Sequence, residues 1–202
     1  MIAAADALEG GFSDPVFDTQ SVFRALMNGM TRPASVARIQ TSIVPPAPLR
    51  LAAGAIACAL IDADTPFWLD AAFDNGALKS WLAFHTGGQP AVLMAEAAFA
   101  LVGAPLSMPA FNHFAQGTQE YPDRSATLIL QIDSLEGGDL LTFKGPGIKD
   151  FATISPRGLP RDFAAQWRAN RKRFPRGVDL ILTAGDAFAC LPRSAVLISA
   201  EE

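Results

Sequence analysis

The stretch from Ser125 to Ile148 constrains this chain more than any other. Ala126-Thr127-Leu128-Ile129-Leu130-Gln131-Ile132 is apolar almost without a break. A half-exposed strand would alternate, so an unbroken run predicts a strand covered on both faces, in the middle of a sheet. Glu136-Gly137-Gly138-Asp139 carries turn chemistry, and Leu140-Leu141-Thr142-Phe143 follows as a second apolar run, so the two runs predict a hairpin. Gly145-Pro146-Gly147 stops the second strand, because proline has no N–H for the ladder and glycine permits a sharp change of direction. Loops at strand ends are where α/β proteins place their chemistry, which makes this loop the first candidate site.

Around that stretch the pattern alternates between helix and strand. Asp18 is placed to cap a helix in which Val22, Phe23, Leu26, Met27 and Met30 recur on one face, and Pro33 ends it. Ala34 to Ile39 reads as a strand, and Pro45-Pro46-Ala47-Pro48 as a rigid connector. Leu49 to Ile61 has the alanine-rich composition of a buried helix. Thr65 to Leu69 resumes as a strand. Asp74 or Asn75 caps a helix through His85, with Leu78, Trp81, Leu82 and His85 on one face and Gly87-Gly88 as its stop. Val92-Leu93-Met94 and Ala98 to Val102 read as strands, and Pro105 to Gln116 as a brief helix or irregular loop. After Phe151 to Ile154 comes a helix from Asp162 to Arg173, with Phe163, Trp167 and Phe174 toward the core. Val178 to Thr183 and Phe188 to Leu191 predict a last strand pair around Ala184-Gly185-Asp186. These elements imply one α/β domain over 1–202, a three-layer sandwich with a mixed central sheet, preceded by a loose arm at 1–13.

Of the 202 residues, half are hydrophobic and 18% are charged, which excludes a disordered chain. The longest uncharged apolar run, Leu51 to Ile61, spans eleven residues, against the ~20 that a membrane helix needs. No basic residue precedes an apolar core in Met1 to Phe12, so a cytoplasmic protein is expected. Cys58 and Cys190 have no metal-type spacing and read as packing thiols. The net charge of -4 hides an asymmetry. Lys144 to Arg176 holds nine of the sixteen basic residues against two acids, Asp150 and Asp162. Such a segment either faces an anionic ligand or acidic partner, or is a solvated face.

The common catalytic signatures are missing. There is no Gly-x-Ser-x-Gly and no Walker A sequence, and Asp150 stands where Gly145-x-Gly147 would need a third glycine for a dinucleotide fingerprint. His85 and His113 fall on different elements, and no metal ligand set forms around them. What remains is an anion site: backbone N–H groups of Gly145 and Gly147, with Lys144, Lys149 and Arg157 near in sequence, suit a phosphate or phosphonate oxygen. The alternative is a turn that only ends a strand. Arg24, Arg32 and Arg193 fit either a site or a salt bridge.

Taken in order, several blocks resemble the PhnH family of the bacterial carbon-phosphorus lyase system, which degrades phosphonates. They are Phe17-Asp18-Thr19-Gln20-Ser21-Val22-Phe23-Arg24, Met30-Thr31-Arg32-Pro33, Asp62-Ala63-Asp64-Thr65-Pro66-Phe67-Trp68-Leu69 and Phe84-His85-Thr86. Ala126 to Leu130, Lys144-Gly145-Pro146-Gly147-Ile148, Phe174-Pro175-Arg176-Gly177-Val178-Asp179 and Leu191-Pro192-Arg193-Ser194 continue the set. The resemblance implies a three-layer fold similar in outline to pyridoxal-phosphate-dependent transferases but without that cofactor or any other. It implies a subunit of the lyase core complex, non-catalytic itself, with partners PhnG, PhnI and PhnJ, and a homodimer when isolated. In that system a phosphonate is joined to the ribose of a nucleoside triphosphate before a radical step in PhnJ breaks the carbon-phosphorus bond. By the resemblance the iron-sulfur cluster for that step belongs to PhnJ; the two cysteines here are too few to hold one. No catalytic residue transfers from the family to a position of this chain. The rival reading is a phosphonate- or nucleotide-binding enzyme with its anion site at Gly145 to Gly147.

Overall fold

A computed structural model describes residues 8–201. Parallel pairing needs crossovers, and the helix-strand alternation of the first half supplies them. The helices are α1 (Pro15–Thr31), α2 (Leu51–Leu60), α3 (Gly76–Thr86) and α4 (Phe163–Arg171). The strands are β1 (Val36–Arg38), β2 (Phe67–Leu69), β3 (Phe99–Val102), β4 (Thr127–Gln131), β5 (Leu140–Lys144), β6 (Ala152–Ile154), β7 (Asp179–Ala184), β8 (Ala187–Leu191) and β9 (Val196–Glu201). A six-stranded mixed sheet runs β1-β8-β7-β4-β3-β2, parallel from β7 to β2 and antiparallel at β8 and β1. A second, antiparallel sheet runs β6-β5-β9. The fold is α/β, with short 3-10 turns between β2 and β4.

Strand alternation divides the apolar residues between two cores. Val102, Leu128, Leu130, Leu180, Leu182 and Leu191 pack with the second sheet (Leu141, Phe143, Ile154, Leu197) and with Phe163 and Trp167 of α4. Leu101, Ile129, Ile181, Phe188 and Cys190 point the other way, onto Val22 and Leu26 of α1, Ile56 of α2, and Leu78, Trp81 and Leu82 of α3. This is why Thr127 to Ile132 contains no polar alternation: odd and even positions both meet apolar partners. Trp167 anchors the core between the two sheets, stacked on Phe163 at 6.2 Å with its Nε1 donating to the Ala195 carbonyl at 3.2 Å. Truncating such a side chain to alanine typically costs about 3–5 kcal/mol.

The central strand is where it was expected, but the hairpin is not. β4 pairs with β3 and β7, whereas β5 joins β6 and β9 in the other sheet. In β5 the residues Leu141 and Phe143 are buried while Leu140 and Lys144 are exposed. That one-sided pattern belongs in an antiparallel sheet with one wet face, and the connection from 133 to 139 carries the chain out of the first sheet. The β7–β8 hairpin forms as predicted, with Ala184 opposite Ala187 across the Gly185-Asp186 turn. Val92 to Met94 forms no strand: Val92 is 88% exposed, and a 3-10 turn begins at Met94.

Helix positions needed smaller corrections. α1 starts at Pro15, not after Asp18; Asp14 caps it by accepting from the Phe17 N–H at 3.2 Å, and Asp18 reaches back to the Asp14 N–H at 3.1 Å. Its buried face is Val22, Leu26 and Gly29, which leaves Phe23 and Met27 outside. Phe174, expected in the core, is exposed with the Arg171 guanidinium 4.3 Å over its ring. Asn75 caps α3 through Leu78 N–H at 2.9 Å, and Gly87 closes it in the left-handed conformation. Of the expected arm, 1–7 lies outside the described residues. Within them the Glu9 carbonyl accepts from Trp81 Nε1 at 2.9 Å, the Gly10 carbonyl accepts from Val44 N–H at 2.8 Å, and Phe12 packs on the helical core. No helix of the described residues is long and apolar enough to cross a membrane.

Candidate functional site

The Gly145 to Gly147 loop caps the end of β5 where three backbone segments converge. Gly147 has φ +83°, and a Cβ built there would fall 2.1 Å from the Thr31 carbonyl oxygen at the end of α1. Gly145, at φ +143°, would place a Cβ 2.9 Å from the Ser194 carbonyl oxygen. Close approach of backbones is therefore sufficient reason for both glycines. Lys144 and Lys149 flank the loop with exposed side chains, beside the equally exposed Asp150.

Four of the five sequence-predicted residues share this end of β5; Arg157 does not. Leu141 pairs with Ile154 and Phe143 with Ala152, so the loop after β6 returns to the Leu140 end. There the Gly138 N–H donates to the Ser155 carbonyl at 2.8 Å, and Arg157 and Ser134 exchange backbone hydrogen bonds at 2.9 and 3.3 Å. Five strand residues separate the two ends by roughly 13 Å, at ~3.4 Å per residue. Arg157 instead lines a cavity of about 330 Å³ together with Arg161 and Arg168. Sequence adjacency had grouped it with the wrong lysines. The usable signal was the spacing of basic residues around a helix start, Arg157, Arg161 and Arg168.

The other basic candidates separate by burial. Arg193 is a structural bolt: its Nε and Nη2 grip both Asp179 carboxylate oxygens at 2.5–3.1 Å, and Nη1 donates to the Pro122 carbonyl at 2.6 Å. This ties the turn after β8 to the start of β7. Arg24 and Arg32 are exposed. His85 sits half-buried against Trp81 and Phe84, with ring centroids at 4.9 and 5.0 Å and its Nε2 unpartnered. Burial holds its pKa below the ordinary value, against the opposite pull of the Glu9 and Leu8 carbonyls. Among the described residues no three His, Cys, Asp or Glu side chains group as a metal site.

A different surface is prominent on α1. Val16, 74% exposed, and Phe17, 70% exposed, lie on its first turn, and Phe23 and Met27 continue outward along the helix. Val16, Phe23 and Met27 follow seven- and four-residue steps, which keeps them on one stripe. Apolar residues in such a stripe, rimmed by Gln20, Arg24 and Asn28, have the character of a docking face.

Comparison with known proteins finds matches across nearly the whole chain. The family model described as "Bacterial phosphonate metabolism protein (PhnH)" matches residues 10–197. The "Alpha-D-ribose 1-methylphosphonate 5-triphosphate synthase subunit PhnH" of Rhizobium meliloti (strain 1021) is 48% identical over 197 residues, covering 98% of each chain. A protein of Stutzerimonas stutzeri named "Putative C-P lyase subunit protein HtxG" is 33% identical over 78 residues, 39% of this chain and 40% of that one. With a family match across nearly every described element and a relative this similar end to end, the chain belongs to the PhnH family.

Proposed function

We propose that this chain is a subunit of the enzyme complex that catabolises organic phosphonates through carbon-phosphorus lyase. Its role there is non-catalytic, needed for assembly or for joining the phosphonate to a nucleotide. The observation that carries this is the end-to-end match, at 48% identity, to a protein named as a subunit of a ribose methylphosphonate triphosphate synthase. The sequence carries no Gly-x-Ser-x-Gly elbow, Walker A motif or dinucleotide fingerprint, which supports a supporting role rather than a reacting one. The partners are PhnG, PhnI and PhnJ, the isolated chain pairs with itself, and the compartment is the cytoplasm. The α1 stripe of Val16, Phe23 and Met27, with the exposed Phe17 on the same first turn, supports docking of this kind. The two separate cores on opposite faces of the large sheet support the layered outline shared with pyridoxal-phosphate-dependent transferases.

Co-expression with PhnG, PhnI and PhnJ, purification through a tag on PhnI, and native mass spectrometry test the proposal. The expected result is recovery of this chain in a fixed ratio, lost in a Phe23→Glu, Met27→Glu form that still folds. Assembly of the other three without this chain would overturn it. A second reading, an anion site made by Lys144, Gly145, Gly147 and Lys149, is supported by their placement at one end of β5.

A further inference from the structure

We propose that the cavity between the start of β5, the loop after β6 and the first turns of α4 is a binding site for an oligophosphate, such as a triphosphate chain. The inference goes beyond the subunit role and is tested on the isolated chain, so either can fail alone.

Three arginines, Arg157, Arg161 and Arg168, line one cavity of about 330 Å³ together with the buried apolar residues Leu141 and Phe163. Arginine forks match phosphoryl oxygens bidentately, and cavities of this size suit small molecules. The ion pairs among the described residues are Arg38–Asp186, Lys79–Asp74 and Arg193–Asp179, so none of the three arginines is neutralised by a carboxylate. One carboxylate, Asp139, shares the lining, which leaves a net charge of two positive on the walls. A monoanion would leave that charge half-balanced, whereas a polyphosphate chain offers each arginine its own oxygens.

The backbone adds to the same field. Phe163 and Ala164, in the first turn of the nine-residue helix α4, line the cavity, so the positive end of the helix lies against it. Asp162 stands at the cap position but makes no capping bond; its Oδ1 accepts from Gln166 Nε2 at 2.9 Å. A Cβ on Gly138 would lie 2.1 Å from the Pro156 carbonyl oxygen, so the two loops that line the cavity touch backbone to backbone there.

Isothermal titration of the purified chain with sodium tripolyphosphate and with orthophosphate, at low and at physiological salt, reads this directly. Tripolyphosphate is expected to bind at least tenfold tighter than orthophosphate, with an affinity that falls as salt rises. The Arg157→Gln, Arg161→Gln, Arg168→Gln form should weaken tripolyphosphate at least tenfold while melting as the wild type does, because these side chains are exposed and unpaired. Lys144→Gln, Lys149→Gln probes the rival anion site and should weaken tripolyphosphate far less than the arginine form does. Should the triple form melt lower, Arg161→Gln alone replaces it, with a threefold loss as the smallest supporting result. No heat at millimolar tripolyphosphate, or equal binding by wild type and arginine variant, would overturn the proposal. Loss confined to the lysine variant would also overturn it and move the site to the Gly145 to Gly147 loop.

Discussion

Two glycines with nearly the same backbone angle allow the packing at the candidate loop to be measured. Gly137 has φ +81° and nothing within 4 Å of where a Cβ would stand; Gly147 has φ +83° and the Thr31 carbonyl oxygen at 2.1 Å. Gly137→Ala therefore carries only the left-handed penalty, about 1–2 kcal/mol. Gly147→Ala carries the same penalty and must also push backbone away from backbone. An overpacking cost of about 1–3 kcal/mol is the scale of that second term. In a domain of this size each kcal/mol lowers Tm by about 2–4 °C. Gly147→Ala should thus melt roughly 2–12 °C below Gly137→Ala. Paired urea and thermal unfolding curves check it. Equal Tm values would refute the claim that the loop is clamped against the end of α1, and would free Gly147 for a ligand-facing role. The same clash makes Gly147→Asp a poor probe of anion binding, since it would damage the fold first; Lys144 and Lys149 are the cleaner positions.

Arg193→Met removes the grip on Asp179, in a pair whose two side chains are only 15% and 17% exposed, and should cost about 2–4 kcal/mol; a loss under about 1 kcal/mol in urea unfolding would show the pair to be ornamental. Burial pushes the Cys58 and Cys190 thiols up to about 12, so neither should react with a disulfide reagent at pH 8 in the folded protein and both should react in denaturant. Prompt labelling of either thiol under native conditions would contradict the packing role.

Local rules went far where one element answers to its own composition. Asn75 and Gly87 bracket α3, the glycine-aspartate turn closes the β7–β8 hairpin, and the unbroken apolar run at Ala126 to Ile132 does mark a strand with two covered faces. Those signals fail where the partner of an element matters. The Gly137-Gly138 turn suggested that β4 and β5 pair, but turn chemistry says only that the chain bends, not which edge it then meets. Phe23 and Met27 fit the same helical period as Leu26, and only the position of β8 under Gly29 decides which of them is covered. Arg157 was assigned to the loop nearest in sequence, although antiparallel pairing of β5 and β6 carries it to the far end.

By itself the sequence determined that this is an α/β chain with an apolar central strand, where α3 begins and ends, and, through ordered blocks over most of its length, its membership of the PhnH family. These depend on short-range backbone preferences and on residue identity, both of which are written locally. Tertiary structure alone decided that β4 and β5 belong to different sheets, that Arg193 is spent on Asp179, and that three arginines from one loop and one helix surround a single cavity. Those outcomes depend on which strand edges and helix faces meet across long separations, and burial of the two cores chooses among pairings that the local sequence leaves equivalent.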